Sequence, residues 1–120
     1  MKVMHTLKYG SETAEFDGET LHLKVAAYTK KVNDAYIIEV PSLDIHSYTK
    51  DENNLNLRIN ESIDSFFKYW LAVEGKEKLI EHLIALGFYE DDQSRQIIKK
   101  QSVSIKGARL TRVKKDLALS

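Results

Sequence analysis

Four histidines and a group of carboxylates are the side chains whose chemistry could support a metal site or acid–base catalysis in this 120-residue chain. The histidines fall in four separate segments: His5, His22, His46 and His82. A zinc site usually has at least two ligands close together in the sequence, and no such spacing is present here. We therefore predict no metal site.

The carboxylates Asp34, Glu39, Asp44 and Asp51 lie near the ends of predicted strands, where acid–base pairs are often found. Acidic residues are also ordinary components of turns and helix caps, so their position alone does not indicate catalysis. The chain has no cysteine, and its five glycines are scattered rather than grouped in a phosphate-binding loop. The sequence thus gives no support for an enzyme, and no cofactor is expected.

The formal net charge of zero divides unequally along the chain. Residues 1–90 contain 10 Lys+Arg and 15 Asp+Glu, a net −5, and residues 91–120 contain 8 and 3, a net +5. A basic segment of this kind is either a solvated tail or sheet edge, or a surface for an anionic partner such as nucleic acid. For the nucleic-acid interpretation the candidate residues are Lys99, Lys100, Lys106, Arg109, Arg112, Lys114 and Lys115.

The length predicts a single domain over residues 1–120. No apolar run approaches the roughly 18 residues of a membrane span, and the first ten residues contain no apolar stretch typical of a signal peptide. We therefore expect a cytoplasmic protein that does not contact membranes.

Alternating and turn-forming residues predict an antiparallel sheet of three to four strands. Asp17-Gly18 is typical of a hairpin turn, so a short strand is expected over residues 13–16. Leu21, Leu23, Val25 and Ala27 alternate with His22, Lys24 and Ala26, which predicts a half-buried strand over residues 21–31. Further strands are expected over residues 35–40 and 45–48, and a last one over residues 101–106.

From Leu55 onward, the apolar residues recur at intervals of three and four residues. Leu55, Ile59, Ile63, Phe66, Phe67 and Trp70 form one apolar stripe. This stripe predicts a helix from about Glu52 to Val73, with Asp51 as N-cap and Gly75 ending it. A second helix is expected from Lys76 to Leu86, with Leu79, Ile80, Leu83 and Ile84 facing inward and Gly87 after its end. Most of the helical aromatic residues are predicted to be core, whereas Tyr36 and Tyr48, on strands, are better placed for a surface contact.

One stretch resembles a known family. The run from Asp34 to Ile45, with its apolar Tyr36-Ile37-Ile38 strand and the Glu39-Val40-Pro41 step, resembles the core of HicB-like antitoxin domains. Thr49 and Asp51 before the helix, and Glu61-Ser62-Ile63 within it, continue the likeness, which covers about residues 21–74.

The resemblance implies an α+β unit in which an antiparallel sheet packs on a long helix. It implies a non-enzymatic protein that occludes the active surface of a small HicA-like ribonuclease toxin and often forms dimers or tetramers. We expect a partner-facing strand and loop formed by Tyr36, Glu39, Pro41, Leu43 and Asp44. The C-terminal DNA-binding module of many relatives is not expected, because only 14 residues follow the predicted last strand. The sequence leaves two alternatives to the antitoxin function. One is nucleic-acid binding through the basic segment at 91–120, and the other is a role in oligomerisation alone.

Overall fold

The computed structural model describes residues 4–90 and 107–119, and within those ranges it contains seven strands and two α-helices. The strands are β1 (Met4–Tyr9), β2 (Glu12–Asp17), β3 (Thr20–Val32), β4 (Ala35–Val40), β5 (Ile45–Thr49), β6 (Tyr89–Glu90) and β7 (Arg109–Ala118). The helices are α1 (Leu55–Tyr69) and α2 (Lys76–Leu86). A 3-10 turn, Pro41–Leu43, joins β4 to β5.

All the strands belong to one antiparallel sheet in the order β5-β4-β3-β2-β1-β6, with β7 paired to β3. β7 runs along β3 from Thr20 to Thr29. β2 pairs with residues 20–24 of β3, and β4 pairs with residues 28–32. Since β7 occupies one edge of β3 over both regions, β2 and β4 must follow one another along the other edge.

One face of the sheet forms the core together with the helices. Along β3 the odd-numbered residues Leu21, Leu23, Val25 and Ala27 are buried, as their alternation predicts. They pack in one cluster with buried side chains of both helices: Ile59, Ile63 and Phe67 from α1, and Leu79 and Leu83 from α2. Fully burying each of these large side chains stabilises the fold by about 1.5–3 kcal/mol.

The helix boundaries confirm the predicted start and stop residues. The Asp51 carboxylate accepts a hydrogen bond from the backbone N–H of Asn53 at 3.0 Å, and a 3-10 turn then leads into α1. A π-helical segment, Trp70–Glu74, extends α1 as far as Gly75, whose φ is +96°. Gly87 ends α2 in the left-handed region. Within the described ranges, neither helix has the length and apolar character needed to cross a membrane.

Two of the sequence expectations are wrong, and a third falls on residues that are not described. The sheet has seven strands rather than three to four, because β1, β6 and β7 lack the strong alternation of β3. The predicted strand at 101–106 lies outside the described residues, and the C-terminal strand that is described runs from Arg109 to Ala118. Ile84 is 46% exposed instead of facing inward. The buried stripe of α2 therefore includes Leu79 and Leu83 but not Ile84, although the spacing of apolar residues predicted all three to face inward.

Candidate functional site

The sheet face opposite the helices, which we call the open face, carries polar and charged side chains. On β3 it is formed by the even-numbered residues, among them His22 and Lys24, and cross-strand partners extend it onto β1, β2 and β7. Lys24, Lys114 and Asp116 are exposed there. The open face is therefore a surface of the sheet on which charged side chains are available to a ligand.

Three cations lie together on the open face. Lys24 and Lys114 are directly opposite one another on β3 and β7, and Arg112 lies two residues before Lys114, opposite Ala26. We call Lys24, Arg112 and Lys114 the basic cluster. Among residues 4–90 and 107–119, none of the three is in an ion pair.

Two shallow clefts meet at the basic cluster. The larger, of about 620 Å³, extends from Lys24 and Lys114 over β1 and β2, where its lining includes Thr6, Thr13, Glu15, His22 and Asp116. The smaller, of about 230 Å³, also includes Lys24 and Lys114 and continues to Arg112, to Glu12 and to Ser11 in the β1–β2 turn. Because Lys24 and Lys114 line both clefts, the clefts adjoin at the basic cluster, and we call the two together the groove.

His22 lies at the acidic end of this groove. Its Nδ1 is 2.7 Å from Asp116 Oδ1, and its Nε2 is 3.5 Å from Asp17 Oδ2. The hydrogen bond to Asp116 is the main cause that raises the pKa of His22 above its ordinary value of 6.5, with a smaller contribution from Asp17. The interaction joins β3 to β7, since residues 22 and 116 are cross-strand partners.

A second histidine brings together two of the predicted partner-facing residues. His46 on β5 has its Nδ1 3.0 Å from Glu39 Oε2 and its Nε2 3.0 Å from Asp44 Oδ1. These two hydrogen bonds, first that to Asp44, raise the pKa of His46 above 6.5. Asp44 has the left-handed φ of +55° that ends the 3-10 turn, and this conformation directs the chain into β5.

The other three predicted partner-facing residues have different surroundings. Pro41 begins the 3-10 turn and is half-buried. Leu43 is only 1% exposed and belongs to the core, so it supports the turn from beneath rather than facing a partner. Tyr36 lies at the far end of β4, opposite Thr49, where desolvation and then a hydrogen bond with Glu52 raise its pKa.

The seven residues predicted to bind nucleic acid do not form one surface within the described ranges. Lys99, Lys100 and Lys106 lie outside the described residues. Alternation along β7 separates Arg112 and Lys114, on the open face, from Arg109 and Lys115, on the helix side. Lys115 is held against α1 by an ion pair with Asp64.

Lys24 is the member of the basic cluster that sequence reasoning missed. Its position on the polar side of β3 was implied by the alternation, but its proximity to Lys114 depends on the pairing of β3 with β7. That register has no local signal in the sequence. A charge count by segment instead assigned Lys24 to the acidic part of the chain.

No group of three or more His, Asp or Glu side chains suited to a metal ion occurs among the described residues. Comparison of the chain with known protein families, with curated proteins and with solved structures found no match.

Proposed function

We propose that this chain is a non-enzymatic HicB-like interaction protein, an antitoxin or a related protein, that occludes a small HicA-like ribonuclease toxin. The proposal rests on the resemblance over about residues 21–74. It is supported by the element order β3-β4-β5-α1 in that stretch, an antiparallel sheet followed by one long helix.

The observation that carries the proposal is the grouping of Glu39, Asp44 and His46 beside Pro41. Both carboxylates lie 3.0 Å from the His46 ring, and the Asp44 side chain is 72% exposed. The Glu39-Val40-Pro41 step of the resemblance therefore supplies an acidic group at the surface. An acidic group complements a basic RNA-binding surface and competes with RNA for it.

The neighbouring strand β5 offers a second means of contact. Within the described residues β5 pairs only with β4, so its other edge has free backbone N–H and C=O groups. A partner can add a strand to such an edge, with backbone hydrogen bonds supplying affinity and adjacent side chains supplying specificity. In this mechanism the toxin is inhibited because its active surface is covered, and no chemical step is required.

The proposal is tested by co-expression with a toxin. A neighbouring reading frame that encodes a small protein with a Gly-Ser-His-like motif is the partner to use. We expect this chain to restore growth and to co-purify with the toxin. If growth arrest persists while this chain is abundant and soluble, the antitoxin proposal is wrong.

The surface is tested with paired variants. Glu39→Gln/Asp44→Asn removes both charges and keeps the side-chain sizes, and Asn tolerates the left-handed conformation at position 44. We expect at least about tenfold weaker toxin binding, equivalent to about 1.4 kcal/mol. Glu77→Gln/Glu81→Gln removes the same charge from exposed positions of α2 and is expected to leave binding unchanged. Equal affinity for both variants would contradict the assigned surface.

A further inference from the structure

We propose that the open face of the sheet binds single-stranded nucleic acid, with phosphates held by the basic cluster and bases stacked on tyrosines of the same face. This goes beyond the proposed function, because the basic cluster is separate from the toxin-facing Glu39 and Asp44; only the stacking tyrosines lie beside that group, Tyr28 being the cross-strand partner of Glu39.

The first reason is that the positive charges of the basic cluster repel one another in the free protein. Lys24 and Lys114 are a directly opposed pair on adjacent antiparallel strands. Like charges in this position destabilise a sheet. Arg112 adds a third positive charge nearby, and no described carboxylate forms an ion pair with any of the three. A polyanion that contacts the cluster relieves this repulsion, whereas the free protein does not.

The second reason is that the carboxylates on the same face have partners within the fold, unlike the basic cluster. Asp17 and Asp116 interact with His22, and Glu39 interacts with His46. Glu15 accepts a hydrogen bond from the Thr6 hydroxyl at 3.5 Å. The carboxylates near the groove thus have partners within the fold, while the basic cluster is exposed and available to an external anion.

The third reason is the shape and lining of the groove. The clefts that meet at Lys24 and Lys114 also present the hydroxyl groups of Ser11 and Thr13, and their carboxylates, Glu12, Glu15 and Asp116, are each hydrogen-bonded within the fold. Hydroxyl groups commonly donate hydrogen bonds to phosphate oxygens, beside the lysine and arginine side chains that neutralise them. A groove of this composition suits successive phosphates of a chain better than one isolated anion.

Aromatic rings provide a place for the bases. Tyr28 follows Lys24 by four residues on the same face of β3, a distance of about 13 Å along the strand. Tyr48 on β5 is 61% exposed, and its cross-strand partner Ile37 lies between it and β3. Base–aromatic stacking is independent of sequence and contributes substantially to single-strand binding. The open face therefore combines a backbone-binding cluster with a stacking surface.

The same geometry argues against a duplex. Both described helices pack on the other face of the sheet, so no helix is available here to enter a major groove. The cations are in a shallow groove rather than on a ridge. A flexible strand can reach them and can also turn its bases towards Tyr28 and Tyr48, which a duplex keeps stacked inside.

The test is fluorescence anisotropy with labelled U12 RNA and dT12 DNA. With three phosphate contacts, the logarithm of the binding constant should fall with the logarithm of salt concentration with a slope of about −2. Lys24→Gln/Lys114→Gln should reduce that slope to about −0.7 and weaken binding at least about tenfold at low salt. Tyr48→Ala should weaken binding about tenfold through lost stacking.

The matched control is Lys76→Gln/Lys78→Gln, which removes two exposed lysines from α2 and should leave binding unchanged. Lys24→Gln/Lys114→Gln relieves a repulsion, so its thermal midpoint should equal or exceed that of the unmodified chain. The proposal is overturned by any of three results: no binding to U12 or dT12 at low salt, unchanged binding by Lys24→Gln/Lys114→Gln, or tighter binding of a 12-base-pair duplex or a poly-glutamate peptide than of both single strands.

Discussion

The ammonium group of Lys115 lies 2.7 Å from Oδ1 of Asp64 and so joins β7 to α1. The same group donates a hydrogen bond to Asn60 Oδ1 at 3.1 Å. The Lys115 side chain is only 14% exposed, whereas Lys114, one residue earlier, is exposed on the open face. Two adjacent lysines of the basic segment thus have opposite roles: Lys115 supports the fold, and Lys114 is available to a ligand.

This difference predicts opposite effects of the same substitution. Lys115→Met leaves Asp64 without its counter-ion, and we expect the free energy of unfolding to fall by about 1–2 kcal/mol. Lys114→Met removes the repulsion with Lys24 and is expected to be neutral or stabilising. Urea unfolding of both variants measures the difference. Equal destabilisation by the two substitutions would contradict the assigned roles, and adding Asp64→Asn to Lys115→Met should recover part of the loss.

The opposed pair Lys24 and Lys114 predicts a salt-dependent gain from charge reversal. Lys114→Glu converts a like-charge pair into an opposite-charge pair, so stability at low salt should rise by about 0.5–1 kcal/mol. Salt screens exposed charges, so the gain should shrink as ionic strength increases. The measurement is urea unfolding at low and at high salt. A loss of stability at low salt would show that Lys114 has a favourable contact in the free protein.

Glu12 holds together the place where β2 and β4 meet along β3. Its Oε1 accepts hydrogen bonds from the Ala26 backbone N–H at 3.0 Å and from the Ser42 hydroxyl at 2.6 Å. Ser42 is completely buried, so an unpaired hydroxyl there is costly. We expect Glu12→Ala to lower the free energy of unfolding by about 2–3 kcal/mol.

Two variants make the Glu12 prediction specific. Glu12→Gln keeps a carbonyl oxygen that can accept both hydrogen bonds and should cost less than Glu12→Ala. Glu19→Ala removes an exposed carboxylate and should have little effect. Urea unfolding ranks the three variants, and faster hydrogen exchange of the Ala26 amide in Glu12→Ala would locate the loss. Equal stability of Glu12→Ala and Glu19→Ala would rule out this role of Glu12.

His22 and His46 predict a pH dependence of stability. Both have a pKa raised above 6.5 by hydrogen-bonded carboxylates. A raised folded-state pKa means that the stabilisation is fully present below 6.5 and is lost as pH rises through the folded-state value. NMR titration should give both histidines pKa values above 6.5. Asp116→Asn should lower the pKa of His22 and leave that of His46 unchanged; an unchanged His22 pKa would contradict the geometry at β7.

The strands and helices that sequence analysis predicted correctly each carry a strong local pattern. Leu21, Leu23, Val25 and Ala27 alternate over a long strand, and Ile59, Ile63 and Phe67 recur with the helical period. β1 was missed because its apolar and polar residues do not alternate clearly. Leu7 is the residue of this strand that is fully buried. A C-terminal strand was predicted, but its extent over Arg109–Ala118 was not, because Lys115 occupies a core-facing position that an apolar residue would have marked.

The residues of the candidate sites also differ in whether the sequence could identify them. Glu39 and Asp44 were selected through the resemblance to HicB-like domains, which implies a partner-facing strand and loop there, and the structure brings both side chains to His46. Leu43, in the same run, is buried, and no local pattern distinguishes it from a surface residue of the loop. Lys24 and Lys114 are 90 positions apart in the numbering, so no local window contains both.

The sequence by itself determined the strands β2 to β5 and the two helices, the helix limits at Asp51, Gly75 and Gly87, and the unequal distribution of charge. These depend on interactions between residues a few positions apart, whose types are visible in any short window. Tertiary structure alone decided that β7 pairs with β3, that Lys115 binds Asp64 and that Lys114 faces Lys24. The register of strands distant in sequence depends on the packing of the whole sheet, because a shift of one residue exchanges the two faces of β7.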